Sequence, residues 1–259
     1  YAFRDVTLVR HNVGASYVLS PAWHMNLSTS ISRNYAETYL GFAGVLDRSH
    51  LYRDHTEGLN DTQVNAQYIK MYSRGWLVMP EFGLSLPTGS VAEKNANNRQ
   101  YNYPYNMQLG SGTFDVPLAV TAMRVGSSWV PYARAQWIKR LGRNAQDYRL
   151  GDEYIGLAGL EYARRPWLVP GVRALYRDRD AIVGQDKTFG RNALVEYYHH
   201  HQINWDVSAV LKSAFAVSTD PEVKLALEAG LPLAQGLRNY DGVIVDTQFY
   251  GMLNVTGRF

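Results

Sequence analysis

The side chains in this chain that could do chemistry are titratable and aromatic groups repeating at two-residue spacing. "YYHHHQ" (197–202) is the one dense histidine cluster. On an extended strand His199 and His201 share a face about 7 Å apart, a spacing that can chelate a metal. They are weak candidate ligands, set against a polar belt at an interface. His200 falls on the other face with Glu196 and Tyr198. "RQYNYPYNMQ" (99–108) interleaves Tyr101, Tyr103 and Tyr105 with amides. Such a mixture can bind sugars or flat ligands, fold inward as a constriction, or pack against a rim. Nucleophilic catalysis has little support, because His11, His24, His50 and His55 stand apart from any recognisable nucleophile motif and no Gly-x-Ser-x-Gly occurs. The expectation is a protein that is not an enzyme, with no catalytic residue and no cofactor.

The charged and amide residues fall in phase with one another. Arg10, Gln63, Gln67, Glu81, Asp115, Arg134, Glu161, Arg173, Arg177, Glu196, Lys212 and Glu228 occupy one set of alternate positions, with apolar residues on the other set. In "TFDVPLAVTA" (113–122), Phe114, Val116, Leu118, Val120 and Ala122 oppose Thr113, Asp115, Ala119 and Thr121. "EVKLALEAGLPL" (222–233) sets Val223, Leu225, Leu227, Leu231 and Leu233 against Lys224 and Glu228. Period-two alternation of this kind reads as strands with one apolar and one polar face. Mixed charges on the polar face must pair or stay hydrated. They form either internal salt-bridge networks or opposed acidic and basic walls along a narrow water-filled path.

About twelve such segments, with ten to fourteen allowed, lie near 6–20, 24–34, 61–68, 75–87, 113–122, 128–140, 152–163, 167–178, 190–201, 204–218, 222–233 and 246–259. Lengths of ~9–11 residues are what a tilted strand needs to cross a bilayer. Connections at 20–23, 73–76, 125–128, 164–167 and 201–204 are short, whereas 35–60, 88–112, 141–151 and 179–189 are long and polar. Short turns at one end and long loops at the other is the pattern of bacterial outer-membrane barrels. Trp23, Trp76, Trp129, Trp167 and Trp205 each follow a short turn. There an indole buries its ring in the acyl boundary and keeps its N–H wet. Phe259, in phase with an apolar face, is a sixth interface anchor. One count conflicts: with Trp205 at the turn end, three strands remain before Phe259, where an even number is needed.

Composition agrees with this reading without requiring it. Aromatics make up 13% of the chain, mean hydropathy is −0.29, and no run approaches the ~18 apolar residues of a membrane helix. There is no cysteine, which removes disulfides and thiolate metal sites, and a net charge of +3 is too mild to argue for nucleic acid.

Three stretches in order carry a family likeness. "GLNDTQVNAQY" (58–68) has a Gly-x-x-Asp opening, "FGLSLPTGS" (82–90) ends a strand in Leu-Pro-Thr-Gly, and "MQLGSGTFDVPL" (107–118) returns through Gln-Leu-Gly-Ser-Gly-x-x-Asp. Together they resemble the outer-membrane transporter-like family labelled "MetA-pathway of phenol degradation". The resemblance implies a Gram-negative β-barrel linked to uptake of aromatic compounds.

The expectations are therefore these. Residues 1–259 form a single all-β domain, a transmembrane antiparallel β-barrel of the bacterial outer membrane with short periplasmic turns and long extracellular loops. It is a channel or transporter for small molecules, hydrophobic or aromatic ones among them, by passive or facilitated diffusion. The polar set above lines the path, and Tyr101, Tyr103 and Tyr105 lie on a constriction loop. The alternative is a barrel with a closed lumen that anchors or sheathes a partner. Its partners are the lipid bilayer, the barrel-assembly machinery during biogenesis, a small-molecule substrate and, in the alternative, a periplasmic or surface protein.

Overall fold

The computed structural model describes residues 2–42, 45–94, 102–103, 105–165, 167–188, 201–219, 222–239 and 250–258. Strands β1 (Ala2–Ser20), β2 (Trp23–Phe42), β3 (Val45–Leu59), β4 (Thr62–Tyr68), β5 (Lys70–Met71), β6 (Trp76–Leu86), β7 (Phe114–Arg124) and β8 (Trp129–Leu141) are followed by a short β9 (Tyr148–Arg149). Then come β10 (Glu153–Tyr162), β11 (Val169–Arg179), a short β12 (Val183–Gly184), β13 (Gln202–Thr219), β14 (Glu222–Asn239) and β15 (Tyr250–Arg258). All but β9 and β12 join one antiparallel sheet in the order β1-β2-β4-β6-β7-β8-β10-β11-β13-β14-β15. β3 extends the β4 position along β2, and β5 continues it along β6, so the sheet has eleven positions.

The side chains are arranged inside out relative to a water-soluble protein. Val13, Leu27, Phe82, Leu84, Leu211 and Leu231 are exposed, whereas Ser30, Ser32, Asn34, Asp115, Glu153 and Ser208 are buried. A sandwich would bury the first set and expose the second. Only a sheet curled around a polar interior, with its apolar face toward hydrocarbon, satisfies both. The curl is visible directly. Arg10 on the first strand interacts electrostatically with Glu153, Arg177 and Arg179 on β10 and β11, six and seven positions away in the sheet. Among the described residues no pairing joins β1 to β15, and the alternation of directions makes these two edges run the same way.

Two expectations about connections are corrected. Residues 35–60 are not a loop: β2 continues to Phe42 and β3 returns from Val45, paired from Phe42↔Val45 to Ile31↔Leu59. The twenty residues of β2 are about twice what a tilted strand needs to cross the bilayer. Past the hydrocarbon neither face has to be apolar, so the alternation that marks a strand in sequence vanishes. The second correction concerns Trp205. It pairs with Tyr176 near the far end of β11, while Ser213, eight residues on, donates to the Trp167 carbonyl (2.6 Å). Trp205 therefore sits at the loop end, opposite Trp23, Trp76, Trp129 and Trp167. No hairpin turn occurs at 201–204, because β13 is reached from Arg179 through a long connection. This removes the counting conflict, since β13, β14 and β15 bring the chain back to the turn end. Phe259, and the strand expected at 190–201, lie outside the described residues.

Two aromatic levels result. At the turn end Trp23 packs on Tyr68 (5.0 Å between ring centres) and Trp129 on Tyr162 (4.9 Å). At the loop end Trp137 stacks on Tyr154 (6.4 Å) beside Tyr176 and Trp205. Trp129 and Trp137 lie eight residues apart on one face of β8, about 26 Å along the strand. That is of the order of the ~25 Å apolar band between aromatic girdles in such barrels.

Candidate functional site: the lumen and its folded loop

Strand register decides which side chains face inward. Gln63, Asn65 and Gln67 lie opposite Ser85, Gly83 and Glu81, whose outward neighbours are the exposed Phe82 and Leu84. On β8, Arg134, Gln136, Ile138 and Arg140 share a face. The first three lie opposite Leu157, Ile155 and Glu153 on β10, which in turn oppose Leu175, Arg177 and Arg179. Asp206, Ser208 and Lys212 continue the row on β13, and Lys212 lies opposite Glu228. The structure thus brings the sequence-predicted polar set onto one inner surface, save Glu196, which lies outside the described residues.

These residues form three ionic clusters stacked along the lumen. Nearest the turn end, Lys212 Nζ reaches Glu161 (2.6 Å) and Glu228 (3.4 Å), Arg173 pairs with Glu228 (2.9 Å), and Lys212 lies over the Tyr132 ring at 5.6 Å. Two cations balance two carboxylates there. In the middle, Arg134 holds Glu81 bidentately (3.1 and 3.2 Å) and also donates to Thr121 (3.1 Å). At the loop end Arg140 bridges Asp115 and Glu153, and Glu153 also receives Arg177 (2.9 Å) and Arg179 (3.4 Å). Fixing buried ions at such density requires mutual pairing, because each lone charge costs several kcal/mol to desolvate.

Above the uppermost cluster the described parts of the 87–113 connection, 87–94, 102–103 and 105–113, fold inward and are closely packed. Tyr103, Tyr105, Met107 and Leu109 are buried. The Tyr103 hydroxyl donates to Asp54 on β3 (3.0 Å), and Thr56 on β3 donates to the Met107 carbonyl (2.8 Å). On the other side Tyr105 meets Tyr148 edge-on (4.5 Å) and accepts from the Asp186 N–H (3.1 Å), while Asn102 donates to the Asp186 carboxylate (2.8 Å). The loop therefore runs between the wall at β3 and the connections that follow β8 and β11. Burial raises the Tyr105 phenol to about 12, and burial pushes Tyr148 up as well. Burial alone would raise the Asp152 carboxyl too. The Lys139 ammonium (2.6 Å), the Arg140 N–H and the Arg149 charge instead hold it below the usual carboxylate range.

The roots of this loop are laced together by one carboxylate. Asp61 accepts from the Gly89 N–H (3.0 Å), from the Ser111 N–H (2.7 Å) and from the Ser111 hydroxyl (2.7 Å). That hydroxyl also lies 2.9 Å from Asp115, which Thr113 reaches at 2.7 Å. Gly89 and Gly110 touch backbone to backbone: a Cβ on Gly89 would lie 2.7 Å from the Leu109 carbonyl oxygen, and one on Gly110 2.7 Å from the Gly89 carbonyl oxygen. Thr88 completes the lacing by donating to the Asn60 carbonyl (3.0 Å). The stretches 58–68, 82–90 and 107–118 thus meet at one point, and their Asp, Gly, Ser and Asp residues make the clamp. A family model described as "MetA-pathway of phenol degradation" matches residues 2–214. The chain belongs to that family.

Among solved structures it is similar to an outer-membrane channel from Pseudomonas putida F1. The two share 15% identity at a TM-score of 0.58, over 96% of this chain and 81% of that one. That likeness carries the fold, an outer-membrane β-barrel. No curated protein matches the chain. In this family member the shared stretches are rim architecture that pins a folded loop.

The remaining predicted positions are placed as follows. Trp23, Trp76, Trp129, Trp167 and Trp205 all point outward, Trp205 at the opposite level from the other four. Tyr101 and His199 lie outside the described residues. His201 pairs with Asp178, which also accepts from Tyr176 (3.3 Å), on the outer face at the loop-end girdle. No group of three metal-ligating side chains occurs among the described residues. Three groups escaped sequence reasoning: the Asp61 clamp, Arg140, and Arg179. Arg140 continues the phase of Arg134 and Gln136 two steps on, past Ile138, and Arg179 that of Arg173 and Arg177 one step on, so extending each alternation would have found both.

Proposed function

We propose that this protein is an outer-membrane channel that admits small molecules by passive or facilitated diffusion, a transport protein rather than an enzyme. One observation carries this reading: the sheet turns apolar side chains outward, lines its interior with three ionic clusters, and lays a tightly held loop across the space above them. A charged lining makes sense beside water and is costly beside lipid or in a dry core. In the cell the tight turns would face the periplasm and the 87–113 loop the outside. Assembly would proceed through the barrel-assembly machinery. The family's description and the Pseudomonas channel agree with transport of small molecules, and aromatic compounds are the substrate class we favour. Tyr103 and Tyr105 form the constriction.

A second reading, a scaffold with a closed lumen, gains weight from the lower cluster, where Lys212 and Arg173 are already paired with Glu161 and Glu228. Single-channel recording in planar bilayers decides between the two. The channel reading expects discrete conductance events, with larger steps after deletion of 95–108. Silence from both proteins favours the scaffold, and unchanged steps after deletion remove the loop from the constriction.

A further inference from the structure

The uppermost cluster differs from the other two in its charge. Among the described residues, Arg10, Arg140, Arg177 and Arg179 surround two carboxylates, Asp115 and Glu153. Among the same residues the middle cluster is a one-to-one pair, and the lowest joins Lys212 and Arg173 to Glu161 and Glu228. The carboxylates at the top are also fully spoken for. Asp115 is 0% exposed and takes Ser111, Thr113 and Arg140, so it cannot turn toward the lumen. Glu153 is similarly buried and offers its two oxygens to three guanidiniums, each of which carries five N–H donors. Donors therefore outnumber acceptors. Nε of Arg140 and of Arg179 has no hydrogen-bond acceptor, and Nε of Arg177, though 2.9 Å from Glu153, is misaligned for a hydrogen bond. Arg177 and Arg179 keep 42% and 34% of their side chains open, and Arg10 on the facing wall is exposed, with Ser32 its hydrogen-bond partner at 3.3 Å.

Beside and beneath this belt the same wall carries an aliphatic patch. Ile138, Ile155, Leu157 and Leu175 on β8, β10 and β11 are all half-buried and face the lumen by register. Ile138 lies in the row of Glu153 and Arg179, Ile155 between Gln136 and Arg177, and Leu157 between Arg134 and Leu175. A guanidinium belt against an aliphatic patch matches a molecule with a carboxylate head and a compact apolar body. Planar bidentate pairing of guanidinium with carboxylate is strong and orientation-specific. We infer that the lumen carries an anion-recognition belt, Arg10 facing Arg177 and Arg179, that selects monocarboxylates with an apolar body over neutral or cationic analogues of the same shape. This rests on the channel reading and names its substrate class.

The test uses the full chain in planar bilayers under a KCl gradient, with benzoate, benzyl alcohol and benzylamine as matched probes. The wild type shows a reversal potential of the anion-selective sign and is blocked by benzoate well below the concentration needed for the other two. Arg177→Gln with Arg179→Gln weakens benzoate block about tenfold and leaves benzyl alcohol unchanged. Arg10→Gln removes no hydrogen bond or direct ion pair from Glu153 and weakens benzoate about threefold, so a folding defect in the double variant does not hide the effect. A cation-selective reversal potential, or equal block by benzoate and benzyl alcohol, overturns the belt while leaving the channel intact. If no current flows at all, the channel reading has failed. Calorimetric titration of micellar protein with benzoate then decides the belt: heat lost in Arg10→Gln supports it, and absence of heat in the wild type refutes it.

Discussion

The two ends of the barrel obey different rules. At the turn end the chain does little more than reverse: Tyr72 N–H donates to the Trp76 carbonyl (2.7 Å), Arg74 adopts a left-handed φ of 61°, and the indoles point outward. At the loop end nearly every fully covered side chain of the described molecule is found. Tyr103, Tyr105, Met107, Leu109 and Tyr148 supply the apolar part, and Ser111, Asp115, Asn144 and Asp186 the polar part. One end is stabilised by lipid outside it, the other by a small core of its own. A membrane barrel has no hydrophobic core within its wall, so order in a loop must come from hydrogen bonds and aromatic contacts supplied locally. The Asp61 and Asp115 carboxylates provide that order.

The contrast breaks most sharply at Asp115. Replacing it with alanine leaves Arg140 facing Glu153 alone and frees Ser111 and Thr113, and loss of one partner from a buried pair costs about 3–5 kcal/mol. Urea unfolding in phospholipid vesicles should show that loss, together with noisy conductance from an unpinned loop. Gly110→Ala is next. Its Cβ would press on the Gly89 backbone and on the Asp61 carboxylate (2.5 Å), and overpacking of that kind costs about 1–3 kcal/mol. Trp129→Ala at the turn end loses outward ring burial, about 1–2 kcal/mol of the contact it makes with lipid and Tyr162. It should leave conductance and its noise untouched. If Trp129→Ala also loosens the channel current, the two ends are coupled and the contrast fails.

How much of this was legible in the sequence follows from the same division. Wherever a strand crosses hydrocarbon, one face must be apolar and the other not, and Phe114 through Ala122 or Val223 through Leu233 announce that in their spacing. Beyond the hydrocarbon neither face need be apolar, and the constraint lapses. Val45–Leu59, with Asp47, Arg48, His50, Arg53, Asp54, His55 and Glu57, has no alternation to read and passes for a loop. Trp205 misled for a related reason: both girdles use tryptophan, and a polar segment before an indole marks a turn at one end and a loop at the other. The inward phase of Arg10, Glu81, Arg134, Arg173 and Lys212 was readable because it is local. The pairing of Asp61 with Gly89 and Ser111 was not, since it joins residues 28 and 50 positions apart through a fold that alternation alone does not specify.

The finest distinction lies in the aromatic part of the loop-end core. Tyr105→Phe removes the acceptor for the Asp186 N–H and should cost about 1 kcal/mol at neutral pH. Its informative behaviour is alkaline. The folded protein holds the Tyr105 proton up to about 12, whereas an unfolded chain releases it near the ordinary value of ~10. Stability from this group is therefore whole below pH 10 and is lost as pH climbs through 12, because proton release then favours the unfolded chain. Phenylalanine has no proton to lose. Raising the phenol from ~10 to about 12 is worth about 2.7 kcal/mol, more than the advantage at neutral pH. The wild-type advantage over Tyr105→Phe should therefore shrink from pH 10 upward, vanish before about pH 11 and reverse by about 12. Other tyrosines titrate in the same range, but identically in both proteins, so the difference between the two curves isolates this one. Parallel curves would mean that the Tyr105 hydroxyl meets water freely and that the loop-end core is looser than its packing against Tyr148 and Asp186 implies.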